Sequence, residues 1–227
     1  MGESLPTEPL WPMQLVGVHF FQGHGALIVP AIYTITLLTI VSPERFILRF
    51  GIFITILYIG AYKSSFGSIE HGYHFMVYVS FALLFLPKSF SRPDLISRAQ
   101  SMQVIAVFWL IQSILLLSYS LAGLFKLLGG SLLQSDGLVR TVMNRAIQNG
   151  GSTFLWEKML IEHSGIVQIF FTGNLYIQLF SIIVLFRPSL HKPYGIMLIL
   201  FHFGTYLLLH IVFSTHIIAW GLFFVMS

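Results

Sequence analysis

Val-Ile-Ala-Val-Phe-Trp-Leu-Ile-Gln-Ser-Ile-Leu-Leu-Leu-Ser (Val104–Ser118) runs without a charge into Tyr-Ser-Leu-Ala-Gly-Leu-Phe-Lys (Tyr119–Lys126). An uncharged apolar run of this length reads as a membrane-spanning helix, and Lys126 then sits where that helix leaves the hydrocarbon. A lysine at such a place ordinarily snorkels to the lipid headgroups. Ionisable groups inside spans, however, are costly and mark functional sites by default. Lys126 therefore admits both readings on position alone, and the rest of the chain weighs between them.

Composition agrees with a membrane solvent. Hydrophobic residues make up 56% of the chain and charged residues 9%, with a mean hydropathy of +0.84. Soluble domains carry about a quarter charged residues, so this chain cannot cover a water-facing surface. Its net charge of +4 comes mostly from Lys and Arg beside the apolar runs. That charge reports orientation in the membrane, and no nucleic-acid partner is expected. The absence of cysteine excludes disulfides, thiolate metal sites, iron–sulfur clusters and Cys-linked haem. The N-terminus, Met-Gly-Glu-Ser-Leu-Pro, lacks the basic start of a secretory signal, so the first span is expected to direct insertion.

Apolar runs predict an all-α, polytopic bundle of about six spans, or seven if the last run crosses twice. Residues 1–24 read as a non-cytoplasmic or interfacial segment, because Pro12, Gln14, His19 and Gln22 interrupt the apolar stretch. A single bundle over 25–226 follows. The expected spans cover about Gly25–Val41, Phe46–Tyr62, His71–Leu86, Gln103–Phe125, Gly165–Phe186 and a last run from Tyr194. The stretch 126–164 reads as a partly helical cap, with Leu138–Ile147 and Phe154–Ile161 as its helices. The run Tyr194–Met226 exceeds the roughly 20 residues one crossing needs. It is either one long tilted helix or a helix that breaks near Phe213–Thr215; one crossing with an irregular tail is favoured.

Basic residues of short loops orient the bundle. Arg45, Arg49, Lys88, Arg92, Arg98, Arg187 and Lys192 fall on one side, which is then cytoplasmic. Both termini and the cap lie on the other face. His71 and His74, three apart on one helical face, then share the level of Lys126, with Glu70 and Tyr119 completing the set. At about 1.5 Å per residue, His210 reaches the same outer level, His202 lies mid-membrane and His216 lies at or beyond the outer boundary. Each histidine also has an ordinary reading, as a group seated in the interface. No Glu-x-x-His motif and no histidines paired across spans at matching depth support a metal or haem, so neither is expected. There is no Gly-x-Ser-x-Gly elbow and no phosphate loop.

Tyr-x-x-Ala-Gly-x-x-Lys at Tyr119–Lys126 resembles the corresponding segment of vitamin K-dependent γ-carboxylases and of their bacterial relatives carrying the HTTM (horizontally transferred transmembrane) domain. Glu70-His71-Gly72-Tyr73 is similar to the family's Asn-His-x-Tyr stretch. His202 in Leu-Phe-His-Phe is similar to its late transmembrane histidine, and Asp136-Gly137 to the end of its Trp-x-x-Gly segment. The resemblance implies an outward-facing pocket for a quinone or hydroquinone. Lys126 would be the base and His71 its assistant, with Tyr119 and His202 beside them; His74 and His210 join the surrounding groups on the spacing and depth given above. It also suits a multi-pass protein of a bacterial inner membrane in preference to the endoplasmic reticulum, with the N-terminus non-cytoplasmic as the basic residues already require. A lysine serves as a base there only where desolvation favours its neutral form.

Departures from the pattern point elsewhere. Glu70 replaces the family's asparagine, Gln134 stands where its tryptophan is expected, and the chain through Ser227 carries no large substrate-binding domain. Protein γ-glutamyl carboxylation by this chain alone is therefore not expected. These departures suit a non-catalytic accessory subunit of a larger membrane complex, whose partners would be the lipid bilayer and other membrane subunits. A small transporter is a third class, disfavoured by the lack of repeats and of acidic residues within the spans.

Overall fold

A computed structural model describes residues 9–65, 71–90, 94, 96–129, 158, 162–209 and 213–226, and among these the chain is helical without strands. The cap helix expected at 138–147, that at 154–161 apart from Lys158, the Asp136-Gly137 pair and His210 lie outside the described residues. Among the described residues, four helices are long and apolar enough to cross a membrane: Gly23–Val41, Phe46–Ser64, Arg98–Leu128 and Gln168–Leu185. They correspond to the first, second, fourth and fifth expected spans. The expected spans at His71–Leu86 and from Tyr194 are not among them. The chain is thus an all-helical membrane protein, and it divides into two compact units, Met1–Ile111 and Gln112–Ser227.

The first unit begins with α1 (Met13–Val16), a single turn that ends at Gly17 with φ +80°. That left-handed φ is open to glycine without a Cβ penalty and lets the chain turn directly into α2 (Val18–Val41). The interrupted stretch expected in the interface is docked against protein: Met13 is fully buried against Ala61, Tyr58 and Tyr62 of α3 (Phe46–Ser64). The Leu10 amide donates to Ser65 Oγ at 3.0 Å, fixing the stretch to the end of α3. α2 runs through Pro30, as a membrane helix tolerates.

α3 packs on α4 (His71–Leu83) at Gly60, where an added Cβ would stand 3.2 Å from Tyr73 Cβ. The described residues of α4 number 13, about 20 Å at 1.5 Å per residue against a hydrocarbon core about 30 Å thick. The helix ends before the expected boundary at Leu86 because the amides of Leu84, Phe85 and Leu86 switch to bonds three residues back, the tight geometry that leads into Pro87. Arg49, buried in the first turn of α3, donates from a terminal nitrogen to the Leu83 carbonyl at 3.0 Å and lies 5.6 Å from the centre of the Phe90 ring.

α5 (Arg98–Leu128) carries the chain from the first unit into the second. In the second unit it is followed by α6 (Ser164–Leu185), a 3-10 turn (Pro188–Leu190), α7 (His191–Leu209), α8 (Ser214–Trp220) and a π-helical segment (Gly221–Val225). The long final run is therefore broken, at Phe213 (φ −108°, ψ 42°), and does not form one tilted helix. The segment after the break returns antiparallel along α7. His216 meets His202 at 5.1 Å between ring centres, Trp220 meets Tyr194 at 6.1 Å, and Phe224 meets His191 at 5.4 Å. Gly195 makes this possible, since a Cβ there would stand 2.8 Å from Phe224 Cβ. The return, seven residues of α8 and five of the π segment, rises about 18 Å over the described residues.

Candidate functional site

Gln112, Tyr119 and Lys126 recur every seven residues on α5, two helical turns apart with a drift of only about 20° per step, so the three project from one face. Each reaches a different part of the second unit. Gln112 donates to the Phe223 carbonyl at 2.6 Å, Tyr119 is hydrogen-bonded to Nε2 of His202, and Lys126 Nζ donates to Gln178 Oε1 at 2.9 Å. The lysine therefore does not reach outward in the manner of a snorkelling end residue. Helical side chains lean toward the N-terminus of their helix, and here that lean carries the ammonium back along α5 to a buried acceptor on α6.

The approach of α6 to α5 rests on small residues. At Gly123 an added Cβ would lie 2.7 Å from the Leu179 amide nitrogen and 3.0 Å from the Gln178 carbonyl carbon. Ser120 Oγ donates to the Leu179 carbonyl at 2.9 Å. Ser181, fully buried, places its hydroxyl 2.7 Å from both the Leu116 and Gln178 carbonyl oxygens. Small and hydroxylated residues of this kind hold helices together where lipid removes the hydrophobic drive for association. The glycine inside the Tyr119–Lys126 motif thus sets the distance at which Lys126 meets Gln178.

Deeper along the stripe, the Tyr119 ring packs edge-on against His202, His216 and Trp220 at 5.9, 6.4 and 5.1 Å between centres. The Trp220 indole nitrogen lies 3.4 Å from the Tyr119 oxygen as a donor. His202 is 3% exposed, with Phe213 at 4.9 Å on one side. Its Nδ1 is buried and has no hydrogen-bond partner among the described residues. On α6, the side-chain oxygen of Asn174 is likewise buried and unpartnered among them, one turn before Gln178.

Of the expected site residues, Tyr119 and His202 meet in the second unit, and Lys126 lies two helical turns farther along the same face of α5, on Gln178. His71 and His74 belong to the first unit; the His74 side chain is exposed. The sequence alone places His216 farther along the same helix, at or beyond the outer boundary. The break at Phe213 turns it back onto His202 instead. Gln178, Ser181, Gln112 and Trp220 also belong to the site, and the sequence reading does not single them out. The seven-residue recurrence of polar groups in an otherwise apolar α5 is the available signal for Gln112, and the i, i+3 pair Gln178/Ser181 for α6. Among the described residues, no three or more His, Asp or Glu side chains gather to hold a metal ion. The chain matches no protein-family model, no curated protein and no solved structure.

Proposed function

We propose that this chain is an HTTM-type integral membrane protein whose Gln112–Ser227 unit binds the polar ring of a quinone or hydroquinone. The observation that carries the reading is the stripe Gln112, Tyr119 and Lys126, three polar groups on one face of an apolar helix, with Lys126 turned inward to Gln178. Ionisable groups held inside a membrane bundle at this cost are retained for function by default. A quinone reaches such a site laterally through the lipid. Lys126 as ammonium donates a hydrogen bond to a quinone oxygen; as free amine it accepts the proton of a hydroquinone hydroxyl. Tyr119 and His202 supply a second polar anchor two turns away. The role of His71 as assistant and the bacterial inner-membrane location rest on the family resemblance, those of His74 and His210 on helical spacing and depth, and the outward-facing orientation on the basic residues of the short loops together with the resemblance.

The test uses Trp220, which packs on Tyr119. In nanodiscs, a variant with Trp11, Trp109 and Trp156 changed to Phe is titrated with a short-chain ubiquinone, and the remaining fluorescence is followed. Saturable quenching that weakens about tenfold or more in Lys126→Met, a loss of about 1.4 kcal/mol, supports the site. Linear quenching identical in the two proteins rejects it.

A second reading, a non-catalytic subunit of a larger membrane complex, is favoured by α2. None of the most apolar window of Gly23–Val41 is buried within the protein. Native mass spectrometry of the protein drawn gently from its own membrane separates the two readings. Stoichiometric partner subunits without a quinone-sized adduct favour the second.

A further inference from the structure

Counting the protons around Tyr119 fixes where His202 carries its own. The Trp220 indole nitrogen, 3.4 Å from the Tyr119 oxygen, can only donate, so that oxygen accepts. The same oxygen is hydrogen-bonded to Nε2 of His202, while Nδ1 of that ring is buried without a partner among the described residues. Two arrangements are open. With the proton on Nε2, the phenol oxygen accepts twice, its own hydrogen has no acceptor among the described residues, and the Nδ1 lone pair is stranded as well. With the phenol donating to Nε2, its hydrogen is placed and the neutral ring carries its proton on Nδ1. The first arrangement leaves two buried groups unsatisfied and the second only one, and each such group is destabilising. His202 therefore presents Nδ1 as an N–H donor in need of an acceptor.

From this arrangement we infer that the Gln112–Ser227 unit selects the oxidised quinone over the hydroquinone, with the His202 Nδ1–H donating to a quinone carbonyl oxygen; the inference rests on the quinone reading above. A quinone carbonyl only accepts hydrogen bonds, whereas a hydroquinone hydroxyl also brings a hydrogen that needs an acceptor. The site is rich in donors. Lys126 Nζ uses one hydrogen on Gln178 Oε1 and keeps others to give. The acceptors beside these two donors, Gln178 Oε1 and the Tyr119 oxygen, already serve Lys126 and Trp220. Asn174 carries a donor and an acceptor on one amide and so discriminates nothing. A hydroquinone is thus left with an unpaired buried hydrogen, and the quinone is not. Nδ1 is enclosed, so a ligand oxygen reaches it by moving a neighbouring ring aside; Phe213, half-buried at the helix break, lies against His202 at 4.9 Å. Tyr119 is the positioning residue, because its hydroxyl keeps the imidazole proton on Nδ1.

Isothermal titration of the full wild-type chain in nanodiscs, with a short-chain ubiquinone and anaerobically with the matching ubiquinol, measures the selectivity. The quinone is expected to bind about tenfold tighter or more, the factor carried by one unpaired buried hydroxyl. Tyr119→Phe frees the imidazole to carry its proton on either nitrogen. The ubiquinol is then expected to gain affinity and the ratio to fall to about threefold or less. His202→Phe is expected to weaken the quinone about tenfold and to leave the ubiquinol within about threefold. Because these variants test folding as well as selectivity, a redox titration of the quinone bound to the wild type provides a second measurement. Tighter binding of the oxidised form lowers its midpoint potential by about 30 mV for each tenfold preference, relative to the same quinone in empty nanodiscs. Neither form binding saturably overturns the inference together with the reading it rests on. Ubiquinol binding as tightly as ubiquinone, a midpoint potential unchanged or raised, or a selectivity untouched in Tyr119→Phe overturns the inference alone.

Discussion

The hydroxyl of Tyr119 is hydrogen-bonded to Nε2 of His202, 83 residues later in the chain, and ties α5 to α7 inside the second unit. The other ring nitrogen of His202 is buried without a hydrogen-bond partner among the described residues. A single bond thus satisfies the only engaged nitrogen of a histidine that is almost wholly enclosed.

Removing the phenol oxygen should therefore cost more than removing both partners. Tyr119→Phe leaves His202 with neither ring nitrogen paired, and a buried polar group left unsatisfied costs roughly 1–3 kcal/mol. The double variant Tyr119→Phe/His202→Phe replaces both groups by rings of similar size. It is expected to recover at least half of the loss in denaturant unfolding of the micelle-embedded protein. Equal losses in the single and double variants would show that the pair does not act as one unit.

Gly123 and Gly173 provide a matched comparison of close approach. A Cβ at Gly123 meets backbone of α6 at 2.7 Å, whereas one at Gly173 meets nothing within 4 Å. Gly123→Ala must push α6 away and stretch the Ser120–Leu179 and Lys126–Gln178 bonds, an overpacking cost of roughly 1–3 kcal/mol. Gly173→Ala should be neutral or stabilising by about 0.5–1 kcal/mol, the usual gain for alanine in a helix. Thermal unfolding of the two purified variants checks the sign of each change.

Lys126 and Gln178 should respond asymmetrically. Lys126→Met removes the charge and keeps most of the apolar stem, leaving Gln178 with one lost donor. Gln178→Leu leaves a half-buried ammonium without its acceptor, and hydrogen bonds to charged groups contribute roughly 1.5–3 kcal/mol. The leucine variant is expected to unfold at lower denaturant than the methionine variant, and the double variant to lie between the methionine variant and wild type. The reverse order would mean that the lysine is solvated in the native protein.

In the first unit, Arg49 joins α3 to the end of α4 through the Leu83 carbonyl and the Phe90 ring. Arg49→Ala loses the bond, the ring contact and the buried stem together, and should destabilise by roughly 2–4 kcal/mol. Arg49→Met keeps the stem, and a hydrophobic residue of similar volume often replaces a buried charge at little cost. It is expected to lose less than half as much. Comparing the two unfolding midpoints separates packing from polar contact.

The two ends of the chain show most directly why some features are legible in the sequence and others are not. That α2, α3, α5 and α6 are apolar membrane-length helices follows from the run of side chains alone, because each helix satisfies its own backbone and its length is set by local composition. The same is true of Lys126 and Tyr119 as candidates, since a polar residue in an apolar helix is visible from its neighbours. The end of α4 at Leu83 is hidden by an apolar composition that continues into the turn before Pro87. The return of Ser214–Val225 along α7 is hidden for a related reason: the run stays hydrophobic through the break, and only the fit of Phe224 over Gly195 makes the folded-back arrangement close.

By itself, then, the sequence determined an all-helical membrane protein with a lysine, a tyrosine and a late histidine set in apolar surroundings. Tertiary structure alone decided that Lys126 turns inward to Gln178, that Tyr119 meets His202, and that His216 comes back to face it. Composition and spacing are properties of one helix at a time. Partners brought together across dozens of residues depend on how closely two backbones approach, and that is set here by Gly123, Gly195 and the break at Phe213.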